Sequence, residues 1–245
     1  MMKAIMLRMG IDSQYGGWNA PMDPETGEFV YVPIPESGVF KKGYETTYNQ
    51  ILPKLLDFAE RHKKDLYRDL GFPRELTSRY AHLDPDFDFV TYGDVERSRG
   101  QFLWDLAEDD VIVFYQGFKP IRRGPDRLCY GLTGMFVVDE ILRASEIQES
   151  RCYENAHTRK LNPFYGDIVI RGKKTESGRF DRCIPIGEYR NKAYRVKREI
   201  LDLWGGLSVK DGFIQRAYSP PRFLDLNMFF DWLKKENVTL LRRNY

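Results

Sequence analysis

The sequence predicts an α+β fold in one domain spanning all 245 residues, with a central mixed or barrel-like β-sheet flanked by helices. Two observations lead there. The middle of the chain holds apolar and aromatic runs of strand length, several containing glycine, which permits the bending that a barrel-like sheet needs. Apolar residues at helical spacing mark a segment near residue 60, a short one near residue 103 and two in the last quarter of the chain.

Taken in order, Lys3 to Met9 reads as an opening strand that runs into a glycine-rich loop from Gly10 to Pro21. Asp23-Pro24-Glu25-Thr26-Gly27 has the residues of a tight turn, and Phe29 to Pro35 reads as an extended segment whose prolines suit an edge strand. A hairpin-like start is expected. From Pro53 to about Asp69, Leu55, Leu56, Phe58, Ala59, Leu66 and Tyr67 recur at helical spacing, with Pro53 near the first turn and Gly71 as the stop. A polar loop follows from Arg79 to Phe87, then a short helix through Phe102, Leu103 and Leu106. Val111 to Phe118, entered from Asp109 and Asp110, reads as a buried strand, and Leu128 to Val138 as its antiparallel partner beyond a basic turn at Arg122 to Asp126. Further strands are expected at Asp167 to Arg171 and Phe180 to Ile186. Two helices close the chain: Tyr194 to Trp204, and one through Phe229, Phe230, Trp232 and Leu233 capped by Asp225.

The net charge of +2 conceals an asymmetry. Residues 1–150 carry 18 Lys and Arg against 25 Asp and Glu, a balance of −7, whereas residues 151–245 carry 20 against 11, a balance of +9. The acidic part lies at about 1–110 and the basic part at about 151–245. Such an excess suits a phosphate-bearing partner, a nucleic acid or nucleotide, because Lys and Arg neutralise phosphates with release of counterions. The simpler alternative is that acidic and basic regions face each other. Nothing approaches the roughly 18 to 20 apolar residues of a membrane span, and the N-terminus lacks a secretory pattern, so a cytoplasmic protein without membrane contact is expected. Protein partners are not readable. Three cysteines, Cys129, Cys152 and Cys183, suggest neither a disulfide framework nor zinc spacing. Gly-x-Ser-x-Gly, His-Glu-x-x-His, dinucleotide and phosphate-loop fingerprints are all missing, which disfavours the common hydrolase and dehydrogenase classes.

Several clusters could carry chemistry. His82, Asp84 and Asp86 alternate around Pro85, and an extended backbone would turn all three to one face. One imidazole and two carboxylates suit general acid/base work or a divalent metal, although no set of metal ligands is assigned and no cofactor is named. The alternative is an Asp-Pro turn whose carboxylates accept backbone N–H bonds. Asp12 and Arg8 end the opening strand, where Gly16 and Gly17 allow close approach of a ligand, and Asp12 joins the candidate catalytic residues. Trp18, Asn19, Tyr115 and Gln116 are candidates for a base pocket, with Tyr115 stacking and Gln116 reading a base edge. Core packing is the competing account for Tyr115. Asn155 and His157, followed by Arg159 and Lys160, and the hairpin residues Arg171 and Lys173, with Lys174 and Arg179, complete the candidate nucleic-acid contacts.

Gly10-Ile11-Asp12, Tyr15-Gly16-Gly17, Phe29 to Glu36, His82 to Phe87 and Thr91-Tyr92-Gly93-Asp94 together resemble the third family of nucleotide-modification-associated domains. The likeness continues through Asp110 to Gly117, Asn155-Ala156-His157, and Trp204-Gly205-Gly206 to Arg222, nearly the whole chain. It implies a role in recognising or processing modified nucleotides, as a base-binding module, as a nucleotide- or base-modifying enzyme, or as a structural partner of a modification or restriction system. The middle of the chain is also similar to the small barrels of the PUA-like group, including EVE, ASCH and YTH domains, which implies a pocket gripping a single base.

Overall fold

The molecule, represented by a computed structural model, is described for residues 2–96, 99–122, 127–215 and 219–245. The basic turn at 123–126 and the segment 216–218 therefore lie outside the described residues. In chain order the elements are β1 (Ala4–Arg8), β2 (Pro21–Met22), β3 (Ile34–Pro35), α1 (Tyr48–Arg61), β4 (Ala81–His82), β5 (Thr91–Val95), β6 (Val111–Pro120) and β7 (Cys129–Arg143). They continue with α2 (Ala156–Arg159), β8 (Asp167–Gly172), β9 (Gly178–Pro185), β10 (Gly187–Arg190), β11 (Ala193–Val196), α3 (Arg198–Leu203), α4 (Leu226–Glu236) and β12 (Leu240–Leu241).

The uninterrupted apolar run of β6 is explained by burial on both faces of the sheet. Ile112, Phe114 and Phe118 belong to one core, with Ile5 and Leu7 of β1 and with Ile51, Leu55 and Phe58 of α1. Their neighbours Val111, Val113 and Tyr115 belong to a second core, with Ala4 and Met6 of β1, Ile200 of α3, and Phe229 and Trp232 of α4. The period-two alternation thus feeds a different core on each face. Helices cover both.

Eight strands form the main sheet, along the path β1-β6-β7-β8-β5, with β2, β9 and β12 branching from it. β1 and β2 run parallel to β6, and the remaining pairs are antiparallel, so the sheet is mixed. It forms no closed barrel among the described residues. The 15-residue β7 pairs with β9 through Gly131 to Met135 and with β8 through Val138 to Arg143, so the sheet branches along this strand. Residues 221–223 bond back onto β1 and cover its outer edge (Met6 N to Pro221 O, 2.8 Å; Phe223 N to Ala4 O, 3.1 Å). The sheet is thus the mixed one of the two expected forms, and the PUA-like likeness gains no support from it.

Three local expectations also change. The hairpin-like start is confined to the turn itself, where Met22 bridges Phe29 antiparallel and the Asp23 N–H donates to Glu28 O at 2.9 Å; β1 pairs in parallel with β6, more than a hundred residues on, and Ile34–Pro35 forms a strand opposite Ala81–His82. The first helix begins at Tyr48, with the Thr47 N–H donating to Gln50 Oε1 at 2.8 Å, which puts Pro53 inside it. Tyr194 lies on β11, stacked on Tyr130 at 4.6 Å, and the helix there is the shorter α3.

Candidate functional site

Two neighbouring strands begin the site. β3 and β4 pair with Ile34 opposite His82, which brings Glu36, just past β3, alongside the imidazole. Glu36 Oε2 lies 2.6 Å from His82 Nδ1, while Oε1 accepts the Ser37 and Gly38 N–H groups at 2.8 and 2.7 Å. Lys160 Nζ stands 3.6 Å from the same carboxylate. Burial alone would raise the Glu36 pKa. The hydrogen bond and charge of His82, the Gly38 N–H and Lys160 outweigh it and hold the carboxyl well below the usual range.

Two residues after His82, Asp84 Oδ1 accepts the Gly93 N–H of β5 at 2.8 Å and Asn155 Nδ2 at 2.8 Å. Asn155 is fully buried and also caps α2, its Oδ1 accepting the His157 N–H at 2.9 Å. One amide therefore positions both Asp84 and His157. His157 Nδ1 lies 2.8 Å from Asp167 Oδ2, at the first residue of β8. The two imidazoles meet edge to face at 4.8 Å. A Cβ on Gly93 would stand 2.4 Å from His157 Cδ2, so this position must be glycine for the ring to sit where it does. Burial is the main influence on Asp84 and pushes its pKa up to about 7, against the opposing pull of His157, Asn155 and the Gly93 N–H.

Ligand-type atoms of His82, Asp84 and His157 lie within 4.8 Å of one another. They line a cavity of about 350 Å³, whose walls also include Arg8, Asp12, Tyr15, Tyr92, Asp94 and Lys160. Arg8 pairs with Asp12 at 2.7 Å, and Asp12 Oδ1 accepts the Gln14 and Tyr15 N–H groups at 2.6 and 2.9 Å, shaping the loop over the opening strand.

The structure thus brings together Arg8, Asp12, His82, Asp84 and His157, with Asn155 directly behind them. The other candidates lie elsewhere. Asp86 is fully buried, bonded to Arg159 Nη2 at 2.6 Å and Asn244 Nδ2 at 2.9 Å, because the chain turns between Asp86 and Thr91 and does not continue extended. Trp18 packs edge to face on Phe72 with its indole N–H on Leu70 O, and Asn19 Nδ2 donates to Gly117 O. Tyr115 is buried with its hydroxyl on Ile214 O, and Gln116, fully buried, donates to Ile11 O beneath Gly10. None of these four lines the cavity. Arg171 is paired with Glu140 and Glu154, and Lys173 with Asp109 at 2.6 Å and Glu108 at 3.1 Å. Glu36 and Asp167, which orient the two histidines, were not singled out by sequence reasoning. Their signal is weak, since a carboxylate beside a strand end is ordinary.

A model of the family described as nucleotide modification associated domain 3 matches residues 3–209. The chain belongs to this family. Every residue of the cavity wall falls inside the matched span, while α4 and β12 lie beyond it. The description associates this domain family with nucleotide modification. No curated protein and no solved structure matches the chain. Among the described residues no helix is long and apolar enough to cross a membrane.

Proposed function

We propose that this nucleotide modification associated domain is an enzyme that chemically alters a nucleobase or nucleotide, with His82, Asp84 and His157 as its reactive centre. The observation that carries this reading is the convergence of two histidines and a carboxylate, supplied by two segments far apart in sequence, on a cavity of about 350 Å³. That volume is in the range of small-molecule sites and suits one nucleoside or nucleotide, so a polymeric substrate would have to present its base unpaired. Arg8 and Lys160 also stand on the wall, each paired with a carboxylate, Asp12 at 2.7 Å and Glu36 at 3.6 Å. Binding alone is the weaker reading, because the aromatic and amide side chains a base reader would use, Trp18, Tyr115 and Gln116, are core residues.

The test is incubation of the purified chain with nucleotide pools, native tRNA and phage DNA, followed by nucleoside mass spectrometry. A changed nucleoside is expected, formed at least about 100-fold more slowly by a folded His157→Ala variant. Retention of a nucleotide without chemical change, or conversion undiminished in that variant, overturns the assignment.

A further inference from the structure

We propose that His82, Asp84 and His157 bind one divalent first-row transition-metal ion, with at least one coordination position open to the cavity. The proposal rests on the functional reading above only in taking this cavity as the reactive site, and it adds the class of cofactor.

The argument begins with what each group still has to offer. Both imidazoles have Nδ1 committed to a carboxylate, Glu36 at 2.6 Å and Asp167 at 2.8 Å. A metal-binding histidine has this arrangement: the carboxylate fixes the tautomer and the ring, and Nε2 is presented as the ligand. Asp84 Oδ1 is likewise committed, to two donors, which leaves Oδ2. Although the three groups crowd within 4.8 Å, no hydrogen bond joins His82 or His157 to Asp84. A merely structural polar cluster would satisfy itself internally. Metal–ligand distances of about 2.0–2.2 Å require ligand atoms roughly 3–4 Å apart, so small side-chain rotations close the set around an ion.

Ligand chemistry selects the ion. Two imidazole nitrogens favour zinc, iron, cobalt or nickel over magnesium and calcium, which take oxygen. Three protein ligands, against the four of a closed structural site, leave room for water or a substrate oxygen.

The full chain, stripped with a chelator, is titrated with Co²⁺ and followed by visible absorption. Visible bands saturating at one equivalent are expected, displaced by Zn²⁺ and not by a large excess of Mg²⁺, and shifted by azide if a coordination position is open. Glu36→Gln and Asp167→Asn should weaken binding about 10- to 100-fold and His82→Ala or His157→Ala more strongly, with folding checked by circular dichroism. Should either alanine variant fail to fold, the near-isosteric His82→Asn and Asp84→Asn take its place. Absence of saturable binding, or unchanged affinity in the folded variants, overturns the proposal. The two readings fail separately: nucleoside conversion by stripped protein retires the metal and keeps the enzyme, whereas stoichiometric metal without conversion of any nucleotide does the reverse.

Discussion

Asp86 meets Arg159 inside the protein, and removing its fully buried carboxylate leaves a largely buried guanidinium without its charge partner. Asp86→Ala is therefore expected to cost about 3–5 kcal/mol in chemical denaturation. Burial pushes the Asp86 carboxyl up, and it pushes that of Asp84, two residues earlier, up to about 7. In metal-free protein the folded state keeps a proton there that the unfolded chain, with an ordinary value near 3.8, gives up. The resulting stabilisation is complete below about pH 4 and is lost as pH rises towards 7. Thermal melts of metal-free protein across that window should show this decline, and Asp84→Asn should reduce it, leaving the contribution of the likewise raised Asp86. Glu36 does not confuse the experiment, since its lowered value makes its contribution fall away only on the acid side of its ordinary 4.5. Gly93→Ala sets a Cβ against the His157 ring and the Asn155 amide oxygen, at 2.4 and 3.0 Å. It should cost about 1–3 kcal/mol and displace His157, which thermal melts and the cobalt titration would together register.

At the scale of elements, what could be read from sequence follows from how local each cause is. β6 announces itself because both its faces are apolar, and α4 because Asp225 caps it, accepting the Met228 N–H at 3.0 Å. Asp225→Ala should accordingly lower stability by about 1 kcal/mol in urea unfolding. The opening strand was legible as a strand but its partner was not: Ala4 finds Val111, and no local turn signals a parallel pairing that distant. Tyr194 and Trp204 share a helical spacing by coincidence, since the first is held by Tyr130 across two strands and the second by Phe229 and Trp232. In the site, His82 and Asp84 were legible as a pair from their alternation. His157 was noticed but not joined to them, because only the fold lays α2 against β5, with Asn155 reaching across to Asp84. Asp86 departs from the alternation for the same reason: alternation assumes an extended chain, and its partners Arg159 and Asn244 lie far along the sequence.

Over the whole molecule, part of the charge asymmetry is met by ion pairs between the two parts of the chain. Arg159 pairs with Asp86, Lys160 with Glu36, Arg171 with Glu140, Lys173 with Asp109 and Arg222 with Asp105, each joining the basic part of the chain to a carboxylate in the first 150 residues. Those cations are not available as a continuous track for a nucleic-acid backbone. Retention of a single-stranded oligonucleotide on filters should thus fall only gently with salt, with a log–log slope of about −2 or shallower, corresponding to roughly three phosphate contacts or fewer. A slope several times steeper would show that a broad basic surface engages the polymer.

The two histidines are clamped from different parts of the architecture. Glu36 and His82 belong to the small pair β3–β4, whereas Asp167 sits on the main sheet and His157 on the short helix beside it. The carboxylate clamps therefore act as the two jaws of a calliper, each stiff in itself, with Asp84 near the pivot. The gap between the imidazoles is then set by how the small strand pair seats on the large sheet. Substitutions remote from the cavity that shift that seating would tune the grip on an ion, or on a substrate atom, without touching a single ligand.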